Sequence, residues 1–384
     1  MITSRKIRFT FPSVAALALF TPRLIHAESS VAYKYADYRE SGGRVTVGTQ
    51  SALLASDLGT DWHAKVSGTL DAIAGATPTG QPAPAGSTEV PLSTLHDRRK
   101  AWTADVARQF SRVNLALGFG NSRESDYVSN GWSLNALTDF NRKNTTLLTG
   151  VAGTDDDVKV FTQTEPAKKR SNDVIVGVTQ LLDRRTTATL NFTWGRSSGY
   201  LSDPYKVVQK DIEVLPELFL TQTFGENRPT ERTKGIALLA LNRSYPEMRG
   251  ALDASYRYYR DTFGTAAHSL DFAWLQRLGG GLIVAPGVRL YRQSAADFYH
   301  YDLNDTAITP RYFPREGDPN YSSDYRLSAM TTSNLALKLI WTAAPWLQLD
   351  AALEHYVMNG RDGVTPQSAY ARATTFTFGA RLTR

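Results

Sequence analysis

The 384-residue sequence predicts an all-β fold, an antiparallel transmembrane barrel of about sixteen strands. Three observations predict it. Hydrophobicity alternates with period two, connections are short and long by turns, and tryptophans gather at strand ends. Other classes fall away on composition. A mean hydropathy of −0.32 and the lack of any apolar run near twenty residues exclude a polytopic helical membrane protein. The hydrophobic fraction of 42% is too high for a disordered chain. With no cysteine, a disulfide scaffold, a thiolate metal centre, covalent haem attachment and a cysteine nucleophile are all excluded.

Residues 1–27 read as a secretory signal peptide, and 28–384 as the barrel. Arg5, Lys6 and Arg8 form a basic start, Val14 to Phe20 a short apolar stretch, and Ile25-His26-Ala27 an imperfect small-residue cleavage site. Seven apolar residues cannot span a bilayer. Its removal leaves 39 basic and 37 acidic residues, a net charge of +2, which makes no case for a nucleic-acid partner.

The expected strands are 31–39, 44–53, 61–73, 102–110, 113–125, 131–141, 145–154, 172–182, 186–196, 233–244, 248–260, 266–277, 281–293, 325–342, 346–358 and 369–383. The third shows the pattern unbroken: Trp62, Ala64, Val66, Gly68, Leu70 and Ala72 fall on one face, His63, Lys65, Ser67, Thr69 and Asp71 on the other. The ninth sets Ala188, Leu190, Phe192 and Trp194 against Thr187, Thr189, Asn191 and Thr193, and the fifteenth repeats this through Leu347, Leu349, Ala351 and Leu353. Short turns such as Ser111-Arg112, Asp183-Arg185 and Ala343-Pro345 fall on one rim, and the long connections 74–101, 155–171, 197–232 and 294–324 on the other. Short periplasmic turns and long extracellular loops are the pattern of outer-membrane barrels. Trp62, Trp274, Trp341 and Trp346 sit beside the short-turn rim, Trp102, Trp132 and Trp194 beside the other, as two interfacial girdles would.

Specific strings point further. Asp71-Ala-Ile-Ala-Gly-Ala-Thr-Pro78, Ser198-Gly-Tyr-Leu-Ser-Asp-Pro-Tyr-Lys206, Glu226-Asn-Arg-Pro229 with Arg232, Arg257-Tyr-Tyr259 with Asp261, and Ala295-Ala-Asp-Phe-Tyr299 occur in order. In these the chain resembles the domain-of-unknown-function family 3570, predicted bacterial outer-membrane β-barrel proteins. The resemblance covers essentially the whole chain after residue 27. It implies an outer-membrane barrel of unassigned activity, inserted by the barrel assembly machinery and bathed in outer-membrane lipid. It also implies a genetic setting beside extracytoplasmic flavin-transfer and thioredoxin-like proteins, hence a candidate periplasmic redox partner. Such barrels usually end in an aromatic residue read by the assembly machinery. Here Phe376 and Phe378 keep the alternation, but the last residue is Arg384.

For a functional locus the strongest candidates are Arg257, Tyr259, Asp271, Arg289, Tyr291 and Gln293, all on the polar face of three consecutive strands. Expected register sums near 526 and 558 place Asp271 diagonal to both Arg257 and Arg289. One carboxylate between two guanidiniums can hold an anion or can simply stiffen the wall. The lumen acids Asp71, Asp105, Asp139, Asp253, Asp350 and Glu354 are spread around the wall and form no catalytic pair. Asp155-Asp156-Asp157, expected in a loop, lacks the ligand spacing of a calcium site. His63 falls on the polar face and His268 and His355 on the apolar one. No metal, cofactor or catalytic residue is expected. The tyrosines of 294–324 suit either a ligand or an inward fold that narrows the pore. Three readings follow: a porin-like channel or transport barrel, a non-conducting scaffold for a redox or flavin-linked system, and, last because no catalytic set converges, a barrel enzyme.

Overall fold

The computed structural model describes residues 29–160 and 163–384. The expected signal segment 1–27 lies outside the described residues. The strands are β1 (Ser29–Glu40), β2 (Thr46–Leu58), β3 (Trp62–Pro78), β4 (Leu92–Gln109), β5 (Val113–Arg123), β6 (Tyr127–Phe140), β7 (Thr145–Val158), β8 (Ala167–Asp183) and β9 (Thr186–Gly199). They continue with β10 (Val207–Leu215), β11 (Leu218–Gly225), β12 (Glu231–Tyr245), β13 (Gly250–Asp261), β14 (Ala266–Gly279), β15 (Leu282–Gln293), β16 (Met330–Ala344), β17 (Leu347–Gly360) and β18 (Arg372–Thr383). Sixteen of them close an antiparallel barrel in chain order, with β12 following β9 and β1 pairing with β18. The other two, β10 and β11, form a hairpin of their own. Among the described residues no helix is long and apolar enough to cross a membrane.

The alternation sets the two faces of the wall. Leu54, Val66, Leu117, Phe119, Phe192, Leu239, Phe272, Leu335 and Phe376 are large apolar side chains exposed on the outer face. Exposure such as the 58% of Phe119 has no place in water and defines a lipid-facing band. Trp62, Trp341 and Trp346 are exposed at its short-turn edge, Trp102, Trp132 and Trp194 at its long-loop edge. Trp274 shares the outer parity but folds over Gly250, its Nε1 donating to Gln276 at 3.0 Å. Facing inward, polar side chains lie flat against the wall. A Cβ at Gly118 would sit 2.7 Å from Ser133 Oγ and against the Asp105 carboxylate, so the missing side chain is what lets Asp105 lie down.

Four expectations change. The connection expected at 74–101 is only 79–91, because β3 and β4 rise well above the lipid band. There the outer face turns from apolar to charged (Arg98, Lys100), which hides the strand signal. The connection 155–171 likewise shrinks to 159–166. Asp155, Asp156 and Asp157 are therefore strand residues of β7, paired across to Arg170, Lys169 and Lys168 on β8. The span 197–232 contains the β10–β11 hairpin. Residues 325–327, expected to begin a strand, form a 3-10 turn capped by Asp324, and β16 starts at Met330.

Candidate functional site

The β13–β14 register sum is 526 as expected, with Ser255 opposite Asp271. Between β14 and β15 the sum is 560 rather than 558, so Asp271 lies directly opposite Arg289 and not diagonal to it. The two form an ion pair in the lumen, and Ser269 Oγ donates to the same carboxylate at 3.2 Å. Arg289 remains 61% exposed to the bore. Arg257 stands opposite Ser269 and makes no ion pair among the described residues, so the expected two-guanidinium clamp becomes one pair and one free cation.

The other three predicted residues belong to the mouth. Tyr259 donates to Asp261 at 2.6 Å, and Arg232 Nε reaches the same carboxylate at 2.7 Å. The second oxygen of Asp261 accepts the backbone N–H groups of Phe263 and Thr265, which fixes the β13–β14 turn. Tyr291 donates to Gln293 Oε1, and the Gln293 amide donates to the carbonyls of Arg326 and Ser328. Gln293 thereby ties the two ends of the β15–β16 loop together.

That loop, 294–329, and the β9–β12 loop, 200–230, fold across the mouth. Between β9 and β3 lie β8, β7, β6, β5 and β4. Even so, Lys206 reaches the Pro78 carbonyl at the end of β3, and Val207 N–H donates to Thr79 at 3.0 Å. Gly80 (φ +100°) passes so close beneath that an added Cβ would meet the carbonyls of Val207 and Ser323. Apolar anchors seal the junction: Val208 and Leu303 are 0% exposed and pack with Phe224 and Tyr321. A second seal lies on the wall, where Tyr325 and Tyr370 stack edge-on at 5.8 Å among Tyr291, Tyr356, Met330 and Met358. Two loop tyrosines are used internally, Tyr301 accepting from Ala83 N–H and Tyr299 meeting Thr365, while the exposed Tyr312 leans on Phe224.

A buried ion network sits where these loops meet. Arg228 bridges Glu226 (2.7 Å) and Asp324 (2.8 Å), and Arg326 joins Asp324 to Asp203. Ser322 Oγ donates to Glu226 and the Asp203 N–H to its other oxygen. Burial, with Asp324 nearby, pushes the Glu226 carboxyl up to about 7 despite Arg228. Burial would raise Asp324 as well, yet Arg326, Arg228 and Lys206 outweigh it and hold that carboxyl at about 2. Burial lowers the Lys206 ammonium. None of these groups stands out as a site in the sequence. Their spacing across three loop segments gives no periodic signal, although Glu226, Arg228, Asp203 and Lys206 all lie in the strings that carried the family resemblance.

Asp97, Glu124 and Asp126 also gather at the mouth, with their carboxylates within 4.8 Å of one another. Tyr205 donates to Asp126, and burial followed by the charge of Asp97 raises Glu124. The remaining lumen acids keep to themselves: Asp71 pairs with Arg99 at 2.6 Å, Asp350 with Lys34 at 3.3 Å, and Glu354 accepts from Asn334. His63 meets Asp57 on the lumen face, and His268 and His355 face outward against Tyr256 and Thr374.

Residues 13–171 and 160–371 match the profile of a family described as "Protein of unknown function (DUF3570)". No curated protein matches the chain. Among solved structures it is similar to a bacterial polysaccharide outer membrane secretin, at 10% identity and a TM-score of 0.49, over 93% of this chain and 97% of that one. The outer membrane protein opdK from Pseudomonas aeruginosa aligns at 10% identity and a TM-score of 0.44, over 93% and 99%. The siderophore receptor PirA from Acinetobacter baumannii aligns at 9% identity and 0.43 over 88% of this chain, which spans only 54% of that receptor's length.

Proposed function

The chain belongs to the DUF3570 family of proteins of unknown function, and we propose that it is a porin-like transport barrel of a Gram-negative outer membrane with a loop-covered mouth. The observation that carries this is the closed sixteen-strand wall with a polar inner face, since a barrel of that size encloses an aqueous lumen. In this reading residues 1–27 direct export, the assembly machinery inserts the barrel, and the short-turn rim faces the periplasm. The long-loop rim faces outward. Transport suits the lumen better than catalysis, because the carboxylates along the wall are dispersed and each is tied to its own neighbour or solvated, while the cluster of Asp97, Glu124 and Asp126 lies at the mouth. No cofactor is required.

The cover supports a second reading, a non-conducting scaffold, for which the family resemblance alone suggests a periplasmic redox partner. Conductance in planar bilayers separates the two: discrete channel events support the first, and an insulating but inserted barrel supports the second. Arg289→Glu refines the test. It exchanges a bore-exposed cation for an anion beside Asp271, a local change of two charges. A several-fold shift of ion selectivity toward cations is expected. Unchanged selectivity in a folded, conducting variant removes the Asp271–Arg289 locus from the permeation path.

A further inference from the structure

The outer face of β4 and β5 carries an arrangement that lumen function does not use. Lys100 and Arg123 face each other directly across the β4–β5 ladder, both on the lipid-facing side, and Arg98 is the next outward residue above Lys100. All three are exposed, and no acidic side chain pairs with any of them among the described residues. Like charges directly opposite on an antiparallel pair repel, so the bare arrangement destabilises its own sheet.

Other outward cations near this rim are treated differently. Arg39 pairs with Asp37, Lys168 with Asp157, Arg170 with Asp155 and Arg196 with Glu231. Arg260, Arg292 and Arg372 face Ala266, His268 and Val357, not a second cation. Among the described residues, only at Lys100 and Arg123 do two outward cations confront each other.

Their height on the wall says what neutralises them. Trp102 marks the long-loop edge of the lipid band and pairs with Asn121. Lys100 and Arg123 are each two residues above that level, or about 7 Å along the strand, and Arg98 about 7 Å higher. Lipid headgroups occupy that zone. We propose that Arg98, Lys100 and Arg123 form a seat for the phosphorylated headgroup of an acylated outer-leaflet lipid, whose chains lie beside Leu70, directly opposite Lys100 on β3, and on Val66 and Val106 below. Phosphate oxygens between two cations remove the repulsion through charge-assisted hydrogen bonds, and the acyl chains hold the ligand to the wall. The seat rests on the outer-membrane placement of the long-loop rim and is independent of whether the lumen conducts.

The full chain, purified in neutral micelles, is titrated with a bis-phosphorylated acylated glucosamine disaccharide and with its phosphate-free counterpart, and retained lipid is counted by native mass spectrometry. The native barrel is expected to retain the phosphorylated lipid at least tenfold better than the phosphate-free one. Arg98→Gln/Lys100→Gln/Arg123→Gln is expected to lose that preference, and Lys168→Gln/Arg170→Gln to keep it. Lys100→Gln alone gives a signature that a general loss of structure cannot imitate. It is expected to raise the melting temperature in lipid-free micelles, where it relieves repulsion, and to lower it when the phosphorylated lipid is present. Retention by the triple variant within twofold of native, equal retention of both lipids, or equal protection by inorganic phosphate alone each overturns the proposal.

Discussion

Asp324→Ala is expected to release the cover of the mouth while leaving the barrel closed. The carboxylate, 1% exposed, accepts from Arg228 Nη2 and from Arg326 through Nε, Nη2 and its backbone N–H. Removing it strands the largely buried Arg228 cation, beside the half-exposed Arg326, against Lys206 with one carboxylate fewer. Breaking one side of a buried pair costs about 3–5 kcal/mol. The barrel wall does not depend on this residue, so the loss falls on loops 200–230 and 294–329, which are held by side chains and a few backbone bonds. In planar bilayers the variant should show a several-fold rise in conductance or open probability, and 294–329 should become sensitive to protease. Asp318→Ala, which breaks the more exposed Arg311–Asp318 pair at 3.4 Å, should change neither. An inserted Asp324→Ala barrel with native conductance and native protease resistance would show that the network does not hold the cover.

The cover should also respond to pH, with two opposing limbs. Glu226 sits at about 7 in the folded loops against an ordinary 4.5. A raised carboxyl means the folded state binds more protons, so its stabilising contribution is full below about 4.5 and is lost as pH rises through about 7. Over that window the cover weakens by roughly 3 kcal/mol. Asp324 runs the other way: held at about 2 against 3.8, it contributes above 3.8 and loses its contribution as pH falls toward 2. Loop protection should therefore peak near pH 4–5 and decline on both sides. Glu226→Gln keeps the neutral shape and removes the upper limb. If protease sensitivity of 200–230 climbs between pH 5 and 8 as steeply in Glu226→Gln as in the native chain, Glu226 is not the titrating group.

What the sequence disclosed depends on which solvent each face meets. Wherever a strand crosses lipid, as at Trp62–Ala72 or Thr186–Trp194, one face must be apolar and the other polar, and period two is plain. Above the apolar band both faces meet polar surroundings, headgroups or water, so β4 before Trp102 and β8 before Val174 carry Lys and Arg outward and no longer look amphipathic. The barrel, its strand number and its two rims were legible for that reason, and the strand tops were not. Asp271 and Arg289 were found because inward parity is a local property, but their direct opposition depended on a register displaced by two in its sum. The mouth network was illegible for a different reason. Glu226, Arg228 and Asp324 meet only after two loops fold against each other, and nothing periodic marks that encounter. The β10–β11 hairpin had a usable signal, alternating apolar residues on either side of Pro216-Glu217, with Glu217 at φ +66° in the turn.

The ring closed by β1 and β18 also has a mechanical meaning. Every one of the sixteen wall strands is hydrogen-bonded on both sides, and the seam alone runs from Ser30–Thr383 to Glu40–Ala373. A chain cut within 200–230 or 294–329 is severed covalently but still girdled, each fragment clasped by strands of the other. Such a nicked molecule is expected to migrate as one species until heat melts the sheet, and only then to separate. Continuity of this protein resides in its circumference more than in its backbone.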